Sequence, residues 1–369
     1  MEAEPPAPHQ LAADQPNFLH LQNTHGVPVR VGVLLPFSNG SPATRALANA
    51  MLKAAELAVF DAGNSDLILM PADEGSTPDD AANAARKLLS QGAEIIVGPL
   101  FASSVTAVTP IAKDRGVPVL AFSTDRTVAK HGIYLLSFQP ENEVRSVVAY
   151  AASQGHKNFA ALVPENAYGN RVAEVFREAV SVAKGQVTDI EKFNPGSGSV
   201  TDQAAAVAKS NPDAILIAQG GSVLRGIAPI LAANGADREH VKLLGTGLWD
   251  DPSILKEPTL GGGWFASPPP HVQDSFDAKY HDAFDANPPQ LATLAYDAIS
   301  LVALLAPGEP YHRFTRSALI DPNGFAGVDG IFRFNPDGTA ERGLAILSVS
   351  PDGFSVVQHA PATFQTAGE

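Results

Sequence analysis

Ala93-Glu94-Ile95-Ile96-Val97-Gly98-Pro99-Leu100-Phe101-Ala102-Ser103-Ser104 opens the segment that decides the fold, and Val117-Pro118-Val119-Leu120-Ala121-Phe122-Ser123-Thr124-Asp125 closes it. Each half is a short apolar run that breaks into hydroxyl-bearing residues, and the chain between them is one helix long. Strand, loop, helix and strand form a unit whose right-handed crossover sets the two strands parallel. Both hydroxyl loops then fall at one edge of the sheet, the edge where open α/β sheets hold ligands. Free amides at a helix start, with the hydroxyls of Ser103, Ser104, Ser123 and Thr124, suit a carboxylate there. The same residue types also cap helices in any α/β protein.

Upstream of this unit, 29–35 reads as a strand, followed by a helix signalled by Ser41 as cap and Pro42 at its first position. A second helix is expected from Thr77-Pro78, with Asp79 and Asp80 in its first turn, to Gly92. Downstream, strand patterns at 159–163, 186–190, 214–218 and 241–244 alternate with helix patterns at 143–154, 170–184, 202–210 and 223–234, a second α/β sheet. The run Gly261-Gly262-Gly263-Trp264-Phe265-Ala266-Ser267-Pro268-Pro269-Pro270 reads as a crossing between lobes. Helices at 275–286 and 291–305 follow. A β appendage then occupies 331–334 and 344–349, with a turn at Asn335-Pro336-Asp337-Gly338.

A chain of 369 residues, 45% hydrophobic and 17% charged, is that of a well-folded soluble protein with two lobes. The expected division is a disordered tail at 1–26, a first lobe of 27–139 plus 267–329, a second of 140–266 plus 330–360, and a C-terminal tail at 361–369. A net charge of −14 with no Lys/Arg-rich run repels phosphate backbones, so nucleic acid is not an expected partner. No apolar stretch reaches about 18 residues and no charged-then-apolar leader opens the chain, which suits a cytoplasmic protein or a trimmed export product. The absence of cysteine excludes disulfides, thiolate catalysis and cysteine-type zinc sites.

The first strand is followed by Pro36-Phe37-Ser38-Asn39-Gly40-Ser41-Pro42, which lacks the spaced glycines of a dinucleotide fold. Walker-type, His-Glu-x-x-His and Gly-x-Ser-x-Gly patterns are also missing, and no paired acid and base stands out, so neither cofactor nor catalysis is expected. His271, Asp274, Asp277, His281, Asp282 and Asp285 could be taken for a metal cluster. Phe276, Tyr280 and Phe284 form the complementary apolar stripe, which makes the acids a solvated helix face. In the second sheet, strand-end loops carry Tyr168, Gln219 and the pair Trp249-Asp250, which place aromatic and polar groups opposite Ser103, Ser123, Thr124 and Asp125 across a cleft.

From Val29 onward the chain resembles the type I periplasmic binding proteins of the branched-chain amino-acid receptor group. The resemblance lies in Val31-Gly32-Val33-Leu34-Leu35-Pro36, Ile96-Val97-Gly98-Pro99, the 118–124 segment, Ala167-Tyr168-Gly169, and Gly330-Ile331-Phe332-Arg333-Phe334 with Asp337-Gly338, all in order. It implies an α/β fold of two Rossmann-like lobes with parallel sheets, three crossings and a ligand cleft, in an exported, non-catalytic protein. It further implies that Ser103 or Ser104 and Thr124 hold an amino acid's carboxylate and amino groups, Ser123 gives main-chain contacts, and Tyr168 faces them. Gln219 stands where that group has a second tyrosine, and Asp250 is the candidate for the ammonium-binding acid. An amino acid or small carboxylate taken up through an ABC permease is the implied role. The wording Leu34-Leu35-Pro36-Phe37-Ser38, Pro164-Glu165-Asn166-Ala167-Tyr168-Gly169-Asn170-Arg171 and Glu341-Arg342-Gly343-Leu344-Ala345-Ile346-Leu347 also resembles the penicillin-binding-protein activators. These are lipoproteins whose partner is a peptidoglycan synthase, and their long helical-repeat N-terminal domain has no counterpart in this sequence.

Overall fold

The computed structural model describes residues 27–63, 66–196 and 200–364; the tail expected at 1–26 lies outside them, as do 365–369. In the first lobe β1 (Val29–Leu35), α1 (Pro42–Ala62), β2 (Leu67–Asp73), α2 (Pro78–Ser90), β3 (Ile95–Val97), α3 (Ala102–Asp114), β4 (Val119–Ala121) and β5 (Ile133–Leu135) alternate. The strands pair in parallel in the order β2-β1-β3-β4-β5. Local signals set the helix starts. The Ser41 hydroxyl accepts from the Thr44 amide, and Thr77 with Asp80 closes a reciprocal capping box. Sheet order reverses between β1 and β3, so their following loops open a crevice at the strand ends. Gly98, at φ +96° in the loop after β3, lies against the Leu34 carbonyl, where a Cβ would sit 2.0 Å from the oxygen. Only glycine lets these two loops approach so closely.

The second lobe runs α4 (Pro140–Ser153), β6 (Asn158–Pro164), α5 (Ala167–Val182), β7 (Gln186–Phe193), α6 (Thr201–Lys209), β8 (Ala214–Ile217), α7 (Gly221–Ala233), β9 (Lys242–Gly245) and β10 (Trp264–Ser267). The chain then returns to the first lobe with α8 (Asp274–Phe284) and α9 (Ala292–Leu305). A small antiparallel sheet of β11 (Phe325–Gly327), β12 (Gly330–Phe334) and β13 (Ala340–Arg342) follows, and β14 (Ala345–Ser350) and β15 (Gly353–Gln358) close the second sheet in the order β15-β14-β10-β9-β8-β6-β7. The chain therefore passes between sheets three times, after β5, β10 and β13.

Two expectations need correction. The glycine-rich and proline-rich run read wholly as a crossing contains β10, whose Trp264–Ser267 pair with β9 in parallel and with β14 antiparallel; only Pro268 onward crosses. A four-residue strand between glycines and prolines leaves no periodic signal of its own. The boundary expected at 330 also falls too early. Phe332, Phe334 and Ala340 lie in the first-lobe core, Phe334 stacks on Tyr134 at 5.3 Å, and the Leu135 amide donates to the Gly338 carbonyl. The stripe of Phe276 and Tyr280 is buried as expected, while His271 and Asp274 pair on the exposed side. Among the described residues no group of three His, Cys, Asp or Glu side chains could hold a metal ion, and no helix is long and apolar enough to cross a membrane.

Candidate functional site

A cavity of about 410 Å³ lies between the lobes, within the range of small-molecule pockets. Thr124, Asp125, Phe138, Gln290 and Leu291 line it on one side, and Glu143, Tyr168, Arg171 and Leu248 on the other. Three of the expected residues, Thr124, Asp125 and Tyr168, thus meet in one space. Tyr168 lies in the first turn of α5, whose cap Asn166 accepts from the Gly169 amide at 2.9 Å. Its phenol oxygen pairs with Thr246 Oγ1 at 2.9 Å, and burial together with the negative charges of Glu143 and Glu141 pushes the phenol above its ordinary range.

The remaining expected residues stand elsewhere. Ser103 is exposed on the first turn of α3. Ser104 is buried and donates to Glu74, a residue that the sequence reading did not single out. The Glu74 carboxylate accepts the Leu100 amide at 2.8 Å and the Phe101 amide at 3.0 Å, and is itself 1% exposed. It thus takes the two amides that lead into α3, beside the helix start expected to hold a ligand carboxylate. Burial pushes this carboxyl up, against the lowering effect of its three donors. Ser123 turns inward and its Oγ accepts the Asp125 amide at 3.1 Å. Gln219 does not line the cavity.

Trp249 is not a cleft residue. It is fully buried in the second-lobe core beside Phe265, its Nε1 donates to the Ile217 carbonyl at 3.2 Å, and its indole lies where a Cβ on Gly245 would stand. An amphipathic tryptophan at a strand end can face either way, and the open face of Gly245 draws it inside. Asp250 lines a separate recess with Pro268, Pro269 and His271, and accepts the Ser267 hydroxyl. Burial raises its carboxyl above the ordinary range and that hydrogen bond opposes the rise.

Two charged residues that sequence reasoning missed organise the cleft. Arg171 of α5 reaches across to the first lobe, donating to the Thr124 carbonyl at 3.0 Å and meeting Asp125 Oδ1 at 3.3 Å; it also contacts Glu141 Oε1 at 3.3 Å. Burial alone would raise Asp125, but hydrogen bonds from Thr127 and the Arg171 guanidinium hold it below the ordinary carboxylate range. Arg126 extends the chain of charges to Glu141 at 4.0 Å and Asp337 at 3.5 Å. Glu143 of α4 accepts the Gly247 amide at 2.9 Å through Oε2. Burial, with the Glu141 charge beside it, pushes its carboxyl up to about 7. A helical acid directly before the apolar stripe of Val144, Val147 and Val148 was the available signal, yet only tertiary packing brings Glu143 into the cavity wall.

Arg171 bridges the lobes, so Arg171→Ala is expected to shift the cleft toward an open form. Charge-assisted contacts that are partly solvated carry about 1–2 kcal/mol, a factor of roughly 5–30 in the open population. Small-angle scattering should record a larger radius of gyration for the variant, and an unchanged profile would mean that the lobes are held by their packing alone.

A model of the family described as periplasmic binding protein matches residues 28–354. A Rhodospirillum rubrum structure, named as a candidate branched-chain amino acid ABC transporter, superposes with a TM-score of 0.80 at 21% identity, covering 90% of this chain and 100% of that one. A solute-binding protein of an ABC transporter from R. palustris in complex with benzoate gives a TM-score of 0.62 at 18% identity, covering 91% and 97%. At such identities the likeness is one of fold. Among curated proteins, the penicillin-binding protein activator LpoA of Vibrio cholerae is 33% identical over 94 residues, 25% of this chain and 16% of the activator. An uncharacterized protein of Rickettsia prowazekii is 21% identical over 142 residues, 38% of each chain. The match thus spans under a fifth of the length of the activator. With the two sheets, the three crossings and the match over 28–354, the chain belongs to the periplasmic binding protein family.

Proposed function

We propose that this protein is a non-catalytic solute receptor that traps a small molecule between its lobes, for ABC-type uptake or for sensing. The observation that carries the reading is the 410 Å³ cavity with walls from both lobes, bridged by Arg171 to Thr124 and Asp125. A ligand filling it joins the same two surfaces, so closure is a population shift that a partner permease can recognise. Membership of the family implies an exported, periplasmic protein.

The reading is tested by a thermal-shift screen against amines, amino acids, small carboxylates and peptidoglycan fragments. A ligand present at about 100 times its Kd adds about 2.7 kcal/mol to native-state stability, a rise of several degrees in Tm. That rise should shrink in Thr124→Ala, which alters the cleft wall. A panel without any shift would end the receptor reading.

A second reading, a lipid-anchored activator of peptidoglycan synthesis, is favoured by one specific observation. Glu74 takes the Leu100 and Phe101 amides at the entry to α3, so two of the donors that would seat an amino acid's carboxylate are already engaged. The 94-residue stretch that is 33% identical to the Vibrio activator supports the same direction. Retention of a purified peptidoglycan synthase on the immobilised protein, with no solute hit, would decide for it.

A further inference from the structure

We propose that the interlobe cleft takes a small organic cation, an amine with an apolar body, and rejects carboxylates and zwitterionic amino acids. The proposal rests on the reading of the cleft as a solute site and names its ligand class. Two observations on the cavity and one on the loop that leads into α3 carry it.

The first is the seat that is already taken. The Leu100 and Phe101 amides, which lead into α3, both bond to Glu74, so two donors of this loop are closed to a ligand carboxylate. A ligand anion would have to displace a buried, hydrogen-bonded carboxylate from them.

The second is the balance of charge. The cavity wall holds two acids, Asp125 and Glu143, against one base, Arg171. That base is engaged by the Thr124 carbonyl, Asp125 and Glu141. Glu141, 2% exposed, adds a further negative charge behind it. A ligand anion meets a net negative wall whose guanidinium is already paired, whereas a cation meets Glu143.

The third is the free valence. Glu143 accepts one hydrogen bond among the described residues, at Oε2 from the Gly247 amide. Its Oε1 is left for a ligand donor. The Tyr168 oxygen has a further lone pair beyond its bond to Thr246, and Phe138, Leu248, Pro268 and Leu291 complete an apolar wall. An ammonium requires acceptors, and an aromatic ring near it adds attraction. The groups that face Glu143 are Glu141 from its own helix, Tyr168 and Arg171 from α5, and Asp125 from the loop after β4. Burial pushes the Glu143 carboxyl up to about 7; an ammonium supplies the counter-charge that lets it ionise.

The test compares three near-isosteric probes by calorimetry on the whole protein: 2-phenylethylamine, 3-phenylpropanoate and phenylalanine. The expected result is binding of the amine alone at pH 8. Its affinity should fall about tenfold per pH unit below 7, because the ligand must then displace a proton from Glu143. Glu143→Gln should weaken the amine at least about tenfold and flatten the pH dependence with the melting profile retained. Binding of the acid or of phenylalanine with the amine silent would overturn the proposal and leave the receptor reading standing. Amine binding indifferent to Glu143→Gln would overturn the subsite. Silence of these probes, with the wider solute panel also silent, would end both the proposal and the receptor reading.

Discussion

Trp249→Ala is expected to lower the free energy of unfolding by about 3–5 kcal/mol, the range for deleting a fully buried large aromatic. The indole is 0% exposed, packs on Phe265 in the second-lobe core and covers Gly245, while its Nε1 satisfies the buried Ile217 carbonyl. Truncation therefore leaves a cavity and an unpaired carbonyl together. Urea unfolding followed by circular dichroism measures the loss. The remaining folded fraction should bind any cleft ligand with its original affinity, because the side chain faces away from the cavity. A loss under about 1 kcal/mol accompanied by loss of ligand binding would instead return Trp249 to the cleft, where the sequence reading had put it.

The second large effect concerns the chain crossings between the lobes. Arg342 on β13 is buried between the rings of Phe138 and Phe332, with its guanidinium 4.7 and 5.5 Å from them and 3.9 Å from Asp329. Asp329 accepts Thr293 Oγ1 at 2.6 Å and the Gln273 amide, and Asp297 close by accepts the Val328 amide at 2.8 Å. Burial raises both carboxyls above their ordinary range. Their mutual repulsion raises Asp297 further, and the Arg342 charge opposes the rise at both. Arg342→Ala removes the single cation from this group and is expected to cost about 3–5 kcal/mol above neutral pH.

The sign of its pH dependence follows from proton counting. A carboxyl whose folded pKa is raised binds more protons in the native state than in the unfolded chain, so stability falls as pH rises from about 4 upward. Losing Arg342 raises both carboxyls further and extends that fall to higher pH. The deficit of the variant should therefore be largest at pH 8 and shrink toward pH 5, where protonation relieves the uncompensated charge. Urea midpoints of the two proteins at these pH values check it; an equal deficit at both would show that the ring contacts of Arg342, and not its charge, stabilise the crossings. Phe138 is also a wall of the cleft, so the variant should bind cleft ligands more weakly even where it is folded.

Much of the fold was legible because its signals are local. The caps at Ser41 and Thr77 and the apolar strands β1, β3 and β4 are each written within a few residues. The parallel pairing of β3 and β4 followed from the single helix between them, and it correctly predicted a loop cluster at one sheet edge. Strand β10 escaped because four residues between glycines and prolines carry no period, and β12 was assigned to the wrong lobe because nothing in Ile331-Phe332-Arg333-Phe334 says which core its phenylalanines fill.

The sequence by itself determined two parallel α/β sheets, the edge at which their loops gather, and the presence of Thr124, Asp125 and Tyr168 on those loops, since strand ends and helix starts are fixed by neighbours in the chain. Only the tertiary structure decided which groups those loops offer. Glu74 reaches the amides that lead into α3 from 26 residues away, Arg171 crosses from one lobe to Thr124 and Asp125 of the other, and Trp249 turns into a core that Gly245 leaves open. Each of these depends on desolvation and charge pairing between segments that meet only after folding, and no local pattern encodes such a meeting.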